Sequence, residues 1–373
     1  MLFKHAEIFT PQGFVRGAFT VEDGRFGEIL PQSPDMPGTD LGGARVIPGL
    51  IDIHNHGNSG ADFSDGDYDG LVKMARYLAQ NGVTGFAPAS MTLPYDVLAR
   101  AFRAAADYNR AAHPGCARLM GIQMEGPFFS EKKKGAQNGA YLHAPDAAMF
   151  RRVQAQANGL FKLCDLAPEL PGAMQTIEEL SGEVRISLAH TEADYDTACE
   201  AFRRGARQVT HLYNAMPPFS HRAPGVIGAA FDSENVAVEL IADGVHIHPS
   251  VVRAVFTLFG GRVILISDSM MATGLEDGEY SLGGQAVTVR GNLATLHDGT
   301  IAGSATNLMD CVRSAVRMGI PLGQAVQAAS TNPARALGIE HDYGSLEAGK
   351  LANVVLLDDE LNIHTILLRG RML

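Results

Sequence analysis

Tryptophan is absent from this chain and cysteine is scarce, with 4 residues in 373. Cys116, Cys164, Cys199 and Cys311 lie far apart without paired spacing, which excludes a disulfide framework, a zinc knuckle and a Cys-x-x-Cys redox motif. They read as buried thiols of a reducing cytoplasm. Long apolar runs are missing too. No stretch approaches the ~20 residues of a membrane span, and Lys4, His5 and Glu7 stand where a secretory signal would be uninterruptedly apolar. The expectation is a cytoplasmic protein without membrane contact. Positive charge is in short supply: 30 Lys and Arg against 41 Asp and Glu leave a formal net charge of −11. That balance argues against the basic face nucleic-acid binding needs, and an anionic small molecule would depend on a few local cations.

What is present is a large apolar fraction, 46%, enough for one large core and a smaller second one. Short apolar runs rich in β-branched residues alternate with helical patterns. Eight runs can be read, at 46–54, 83–88, 119–125, 160–167, 184–190, 208–211, 236–242 and 263–268. Eight parallel strands with intervening helices predict an α/β fold, a closed (β/α)8 TIM-like barrel. Helical spacing is clearest where Leu71, Met74, Ala75 and Leu78 share a face, with Asp69 as the expected cap and Gly82 as the stop. It recurs over 95–112, where Leu98, Phe102 and Ala105 do the same. The chain ends alternate apolar and polar over 4–30 and 351–373 and predict a small β-sandwich built from both termini. The expected division is 1–47 with 345–373 for the sandwich and 48–344 for the barrel. A β-hairpin is expected as an insertion near 279–302, around Gly291.

Reactive groups of such a barrel sit at the carboxyl ends of its strands, and five of the runs end in potential ligands. The first ends in His54-Asn55-His56, where alternation directs both imidazoles to one side; the third ends at Glu125, the fifth at His190, the sixth at His211 and the eighth at Asp268. Taken singly, a His-x-His or a strand-end histidine is as well explained by packing. An acidic residue closing an apolar strand is seldom buried without a partner. All six at successive strand ends form a nitrogen and oxygen donor set for a divalent cation, which activates water toward attack. Asp268 at the last strand is placed to move the proton of that water. The donor types favour zinc, with iron, cobalt or manganese as alternatives, and one or two ions per subunit.

At these residues the chain resembles the amidohydrolase superfamily, and within it the N-acetylglucosamine-6-phosphate deacetylases. The resemblance runs from Pro48-Gly49-Leu50-Ile51-Asp52 with the His54/His56 pair through Glu125-Gly126-Pro127-Phe128, Ala189-His190-Thr191 and Thr210-His211-Leu212-Tyr213-Asn214-Ala215-Met216. It continues in Asp243-Gly244-Val245-His246, Ser267-Asp268, Ala302-Gly303-Ser304 and Gly344-Ser345-Leu346-Glu347-Ala348-Gly349-Lys350. It implies hydrolysis of the acetamide of an N-acetyl-hexosamine 6-phosphate to acetate and the free amino-sugar phosphate. It further implies that Glu125, His190 and His211 hold the principal metal, that His54 and His56 allow a second with Glu125 bridging, and that Asp268 is the catalytic acid and base. The substrate contacts it implies are Ala136, Gln137, Asn214, Ala215, Arg222, His246, Ile301, Ala302 and Gly303, some borrowed from a neighbouring subunit in a homodimer. Gln137 stands where some members carry a histidine that polarises the carbonyl. His248 is expected to be structural, and Asn353, which replaces a common aspartate, to matter only for structure. The alternatives are the galactosamine epimer as substrate, another amidohydrolase reaction such as cyclic-amide opening or nucleobase deamination, and a barrel without catalysis.

Overall fold

Strands buried on both faces read as nearly continuous apolar runs, and the chain resolves eight of them into a closed ring. The computed structural model describes residues 1–31 and 37–373. The barrel strands are β1 (Leu50–Asp52), β2 (Val83–Phe86), β3 (Ile122–Phe128), β4 (Phe161–Leu166), β5 (Arg185–Leu188), β6 (Gln208–Val209), β7 (Ala237–Ile241) and β8 (Val263–Ile266). Strands β3 to β8 pair in parallel order, as do β1 and β2. A parallel bridge between Ala89 and Gln123 joins β2 to β3. The ring closes where Asp268 N–H donates to His54 O at 2.9 Å and the Ser267 hydroxyl to Asp52 at 2.6 Å. Alternate residues separate cleanly: Ile51, Leu163, Ile241, Ile264 and Ile266 form one cluster inside the barrel, while Leu50, Cys164, Leu240, Val263 and Leu265 join the helices outside.

Helix α1 (Tyr68–Gln80) buries Leu71, Met74, Ala75 and Leu78 as the spacing predicts, but its cap is Asp67, whose side chain accepts from Asp69 N. Asp69 instead lies in the first turn, where its charge meets the positive end of the helix dipole. Helix α2 (Tyr95–Arg110) buries Leu98, Phe102 and Ala105. Both pack against the outside of the barrel.

The first predicted strand, 46–54, is in fact two. Arg45–Pro48 belongs to a sheet made by the chain ends, and the barrel strand begins after Gly49. A side chain at position 49 would collide with Thr84, so glycine lets the chain pass close beneath β2 as it changes sheets. The chain ends form one eight-stranded sheet in which Arg45–Pro48 pairs with both Leu2–Thr10 and Val354–Leu357. This sheet encloses a core of its own, as expected of the two chain ends. Phe26 N–H donates to Lys350 O and Ala352 N–H to Gly24 O across it. Inside, Phe3, Phe19 and Phe26 stack at 4.9 and 5.1 Å between ring centres, beside Val46, Val354 and Leu367. Asn353 is buried there and accepts from Arg369 N at 3.0 Å, a purely structural contact.

The inserted hairpin carries one strand more than expected: Gly278–Leu282, Gln285–Arg290 and Leu293–Thr295 make a three-stranded antiparallel sheet. The extra turn is Gly283-Gly284, both at positive φ (55° and 79°), as a two-residue hairpin loop requires. Cys116, Cys164 and Cys311 are buried, whereas Cys199 is partly exposed. Among the described residues no helix is long and apolar enough to cross a membrane.

Candidate active site

His54 and His56 follow β1, Glu125 lies within β3, and His190, His211 and Asp268 follow β5, β6 and β8. All six converge and are buried. Ile51 and Ile53 already face the barrel interior, so strict alternation would turn His54 outward. The regular strand ends at Asp52, and beyond Ile53 the alternation is lost, so both imidazoles face in. His190, His211 and Asp268 adopt positive φ (45°, 31° and 50°), a strained conformation for such residues that is characteristic of functional sites.

Glu125 is the hub. Its Oε1 lies 3.2 Å from Nε2 of His190 and of His211 and 3.5 Å from Nε2 of His54, and its Oε2 lies 3.3 Å from Nε2 of His56. Nε2 of His56 is also 3.3 Å from Asp268 Oδ1. The other nitrogens fix the tautomers. Nδ1 of His54 meets Glu239 at 3.0 Å, Nδ1 of His56 meets Ala89 O at 3.2 Å, and Nδ1 of His190 meets Lys133 O at 2.8 Å. Each of these partners only accepts, so each Nδ1 carries a proton and donates it, and each Nε2 is left facing the carboxylate of Glu125. Nε2 of His190 and His211 are 3.1 Å apart, and Nε2 of His54 is buried without a hydrogen-bond partner among the described residues. Four imidazole Nε2 atoms converging on one buried carboxylate make a donor set suited to a cation. Two overlapping groups, His54/His56/Glu125 and Glu125/His190/His211, have donor atoms within 4.8 Å of one another and are suited to hold one.

The protonation tendencies agree with that reading. Burial pushes the Glu125 carboxyl up, but the surrounding imidazoles outweigh it and hold it well below the usual carboxylate range. Burial likewise raises Asp268, yet the His56 hydrogen bond and the charges of His54 and His56 bring it net below its ordinary value. Burial and the neighbouring His211 keep His190 below the usual histidine range despite Glu125, as a neutral ligand requires. His54 and His56 go the other way: burial lowers them, and Glu125, with Glu239 or Asp268, more than reverses it. The negative potential that would draw a proton to these two rings would equally draw a cation.

The amidohydrolase family model matches residues 45–373. The chain belongs to that family. An N-acetylglucosamine-6-phosphate deacetylase of Bacillus subtilis is 36% identical over 100% of this chain and 96% of its own length. An N-acetylgalactosamine-6-phosphate deacetylase of Escherichia coli O157:H7 is 34% identical over 100% and 98%. Among solved structures, an aspartate-to-alanine mutant of the Mycobacterium smegmatis N-acetyl-D-glucosamine-6-phosphate deacetylase, in complex with N-acetyl-D-glucosamine-6-phosphate, superposes with a TM-score of 0.94. It is 33% identical, with 100% of this chain and 98% of that chain covered. This amidohydrolase is therefore a hydrolytic deacetylase.

Above the hub the amidohydrolase opens a cavity of about 380 Å³, lined by Ala136, Gln137, Asn214, Ala215, His246, Ile301 and Gly303 from the expected set. Ala302, between the last two, is fully buried. Arg222 does not line this cavity; it is exposed, with His221 Nε2 2.7 Å from its guanidinium. His246 faces in with Nδ1 2.8 Å from Asp243 Oδ2. His248 caps the helix Pro249–Phe259 instead, its ring accepting from Ser250 N. Met91, Lys132, Lys133, Gly135, Leu282 and Thr300 complete the wall. Met91 and Leu282 are apolar, so nothing in the sequence marks them as site residues.

Glu239 also escaped notice, though a carboxylate in the middle of an otherwise apolar strand is the signal that marks it. It is fully buried and receives the Nδ1–H of His54, the Gln208 amide at 2.5 Å and the His211 N–H at 3.3 Å. Carboxylates behind ligating histidines fix ring orientation and basicity. Glu239→Gln should therefore lower metal affinity about tenfold or more in a titration of Zn2+ against a chromophoric chelator. Unchanged affinity would remove this role from Glu239.

Proposed function

We propose that this protein hydrolyses N-acetyl-D-glucosamine 6-phosphate to D-glucosamine 6-phosphate and acetate. The observation that carries the reading is the convergence of Asp268 and four histidines on Glu125 at the floor of a cavity sized for a sugar. The full-length similarity to deacetylases of this substrate supports it. We assign Glu125, His190 and His211 to one divalent ion and His54, His56 and Glu125, with Asp268, to a second, with zinc the preferred metal. Bound there, the cation supplies Lewis acidity toward the amide carbonyl and acidifies water near neutral pH.

The chain's own groups do the rest. Asp268 accepts a proton from the attacking water as its oxygen bonds the acetyl carbon, then delivers that proton to the amide nitrogen as the C–N bond breaks. Acetate leaves with the new oxygen, and the amine remains on the sugar. Asn214, Ala215, His246, Ala136 and Gly303 surround the sugar. Arg222, exposed and away from its own cavity, supports a homodimer in which it reaches the phosphate of the neighbouring site. We further propose that residues 1–47 with 345–373 form one unit and 48–344 the other, and that the enzyme works in the cytoplasm.

Acetate release from N-acetylglucosamine 6-phosphate tests the reading, run beside its galactosamine epimer, the unphosphorylated sugar and chelator-treated protein. Turnover should require both phosphate and metal and favour the glucosamine substrate. Failure on every sugar phosphate by metal-replete protein would sink it.

A further inference from the structure

Gln137 has its whole amide committed. Its Oε1 accepts from Thr92 N–H at 2.7 Å, which settles which end of the amide is which. One N–H of Nε2 then donates to Glu125 Oε2 at 2.8 Å, and Nε2 lies 3.8 Å from the Met91 sulfur. The side chain is 3% exposed, and its backbone N–H donates to Lys134 O at 2.9 Å. Both strong bonds of this amide are internal, and the second N–H of Nε2 is left with the weakly accepting Met91 sulfur.

The terminal torsion of a glutamate is broad and roughly two-fold, so Glu125 would not hold one carboxylate plane unaided. Its two oxygens have different duties: Oε1 faces His190 and His211, and Oε2 faces His56. The donor on Oε2 is Gln137, itself tied to the backbone after β2. We propose that Gln137 is a positioning residue that locks Glu125 in a bridging orientation between the two ligand groups, and not the group that polarises the substrate carbonyl. This rests on the two-ion reading given above. The oxyanion would then be served by the cation, with no contribution from position 137.

The test needs no substrate for its main readout. Gln137→Met keeps the length and removes the donor, and Gln137→Asn keeps an amide too short to span Thr92 and Glu125. Zn2+ and Co2+ would be titrated into wild type and both variants against a chelator, with the Co2+ visible spectrum recorded, followed by steady-state kinetics at saturating Zn2+. The expected result is a roughly tenfold or greater loss of affinity for the weaker ion, a changed Co2+ spectrum, and a KM for the sugar phosphate within about twofold of wild type. Unchanged metal affinity and spectrum with kcat reduced at full metal loading would overturn the proposal and make Gln137 a carbonyl contact. A wild type that binds one equivalent refutes the two-ion reading separately. The inference is then judged on that single ion, because Glu125 belongs to both ligand groups.

Discussion

Asp268→Asn should fold, bind metal and substrate, and lose about 10²–10⁴ in kcat. The fold should survive because position 268 sits at φ 50°, where asparagine is among the best tolerated side chains. Its backbone bonds to His54 O and from Ser304 N–H do not involve the carboxylate. What disappears is the base. The wild-type carboxyl is held below its usual range once the His56 hydrogen bond overcomes burial, so it is ionised throughout the neutral range and ready to accept a proton. The amide can neither take the proton from water nor return it to the leaving nitrogen. Steady-state kinetics with metal analysis on the same samples checks this. A variant with normal metal content and more than about a tenth of wild-type kcat would remove Asp268 from the proton path.

The second large effect is expected at Glu125. Its carboxylate is common to both ligand groups and is 2% exposed, so Glu125→Gln takes the only carboxylate from the His190/His211 group and leaves the His54/His56 group with Asp268 alone. A neutral amide in place of the shared carboxylate is a poor match for a divalent ion at either group. The protein should retain only a small fraction of its metal, and its activity should fall to background. The loss has a thermal signature. An ion at a hundred times its dissociation constant stabilises the folded state by about 2.7 kcal/mol, so Tm of the wild type should rise on adding Zn2+ while that of the variant stays flat. A metal-dependent rise of equal size in Glu125→Gln would show that the ion sits elsewhere.

Much of the fold was legible because a barrel strand is apolar on both faces and its neighbours are helical. That rhythm survives in one dimension, and so do the polar residues that interrupt it at strand ends. The eight runs and the positions of Glu125, His190, His211 and Asp268 came through in this way. Gly49, where one apolar run serves two sheets, did not, because nothing in the periodicity distinguishes a change of partner from a continuing strand. The three-stranded insertion was half read for a similar reason: Gly291 announced one turn, and the Gly283-Gly284 turn went unread.

The sequence by itself determined the barrel, the donor set and the kind of chemistry, since these depend on residue type and on a spacing that local geometry enforces. Only the tertiary structure decided which atoms those residues present. His54 turns inward against strict alternation because the regular strand ends at Asp52 and because Glu239, 185 positions away, receives its Nδ1–H. Gln137 faces Glu125 because the backbone at Thr92 claims its oxygen, and Arg222 lies outside its own cavity because its loop does. Each of these is a choice of hydrogen-bond or spatial partner across the fold. Burial makes such choices binding by raising the cost of an unpaired polar group, and no linear pattern records them.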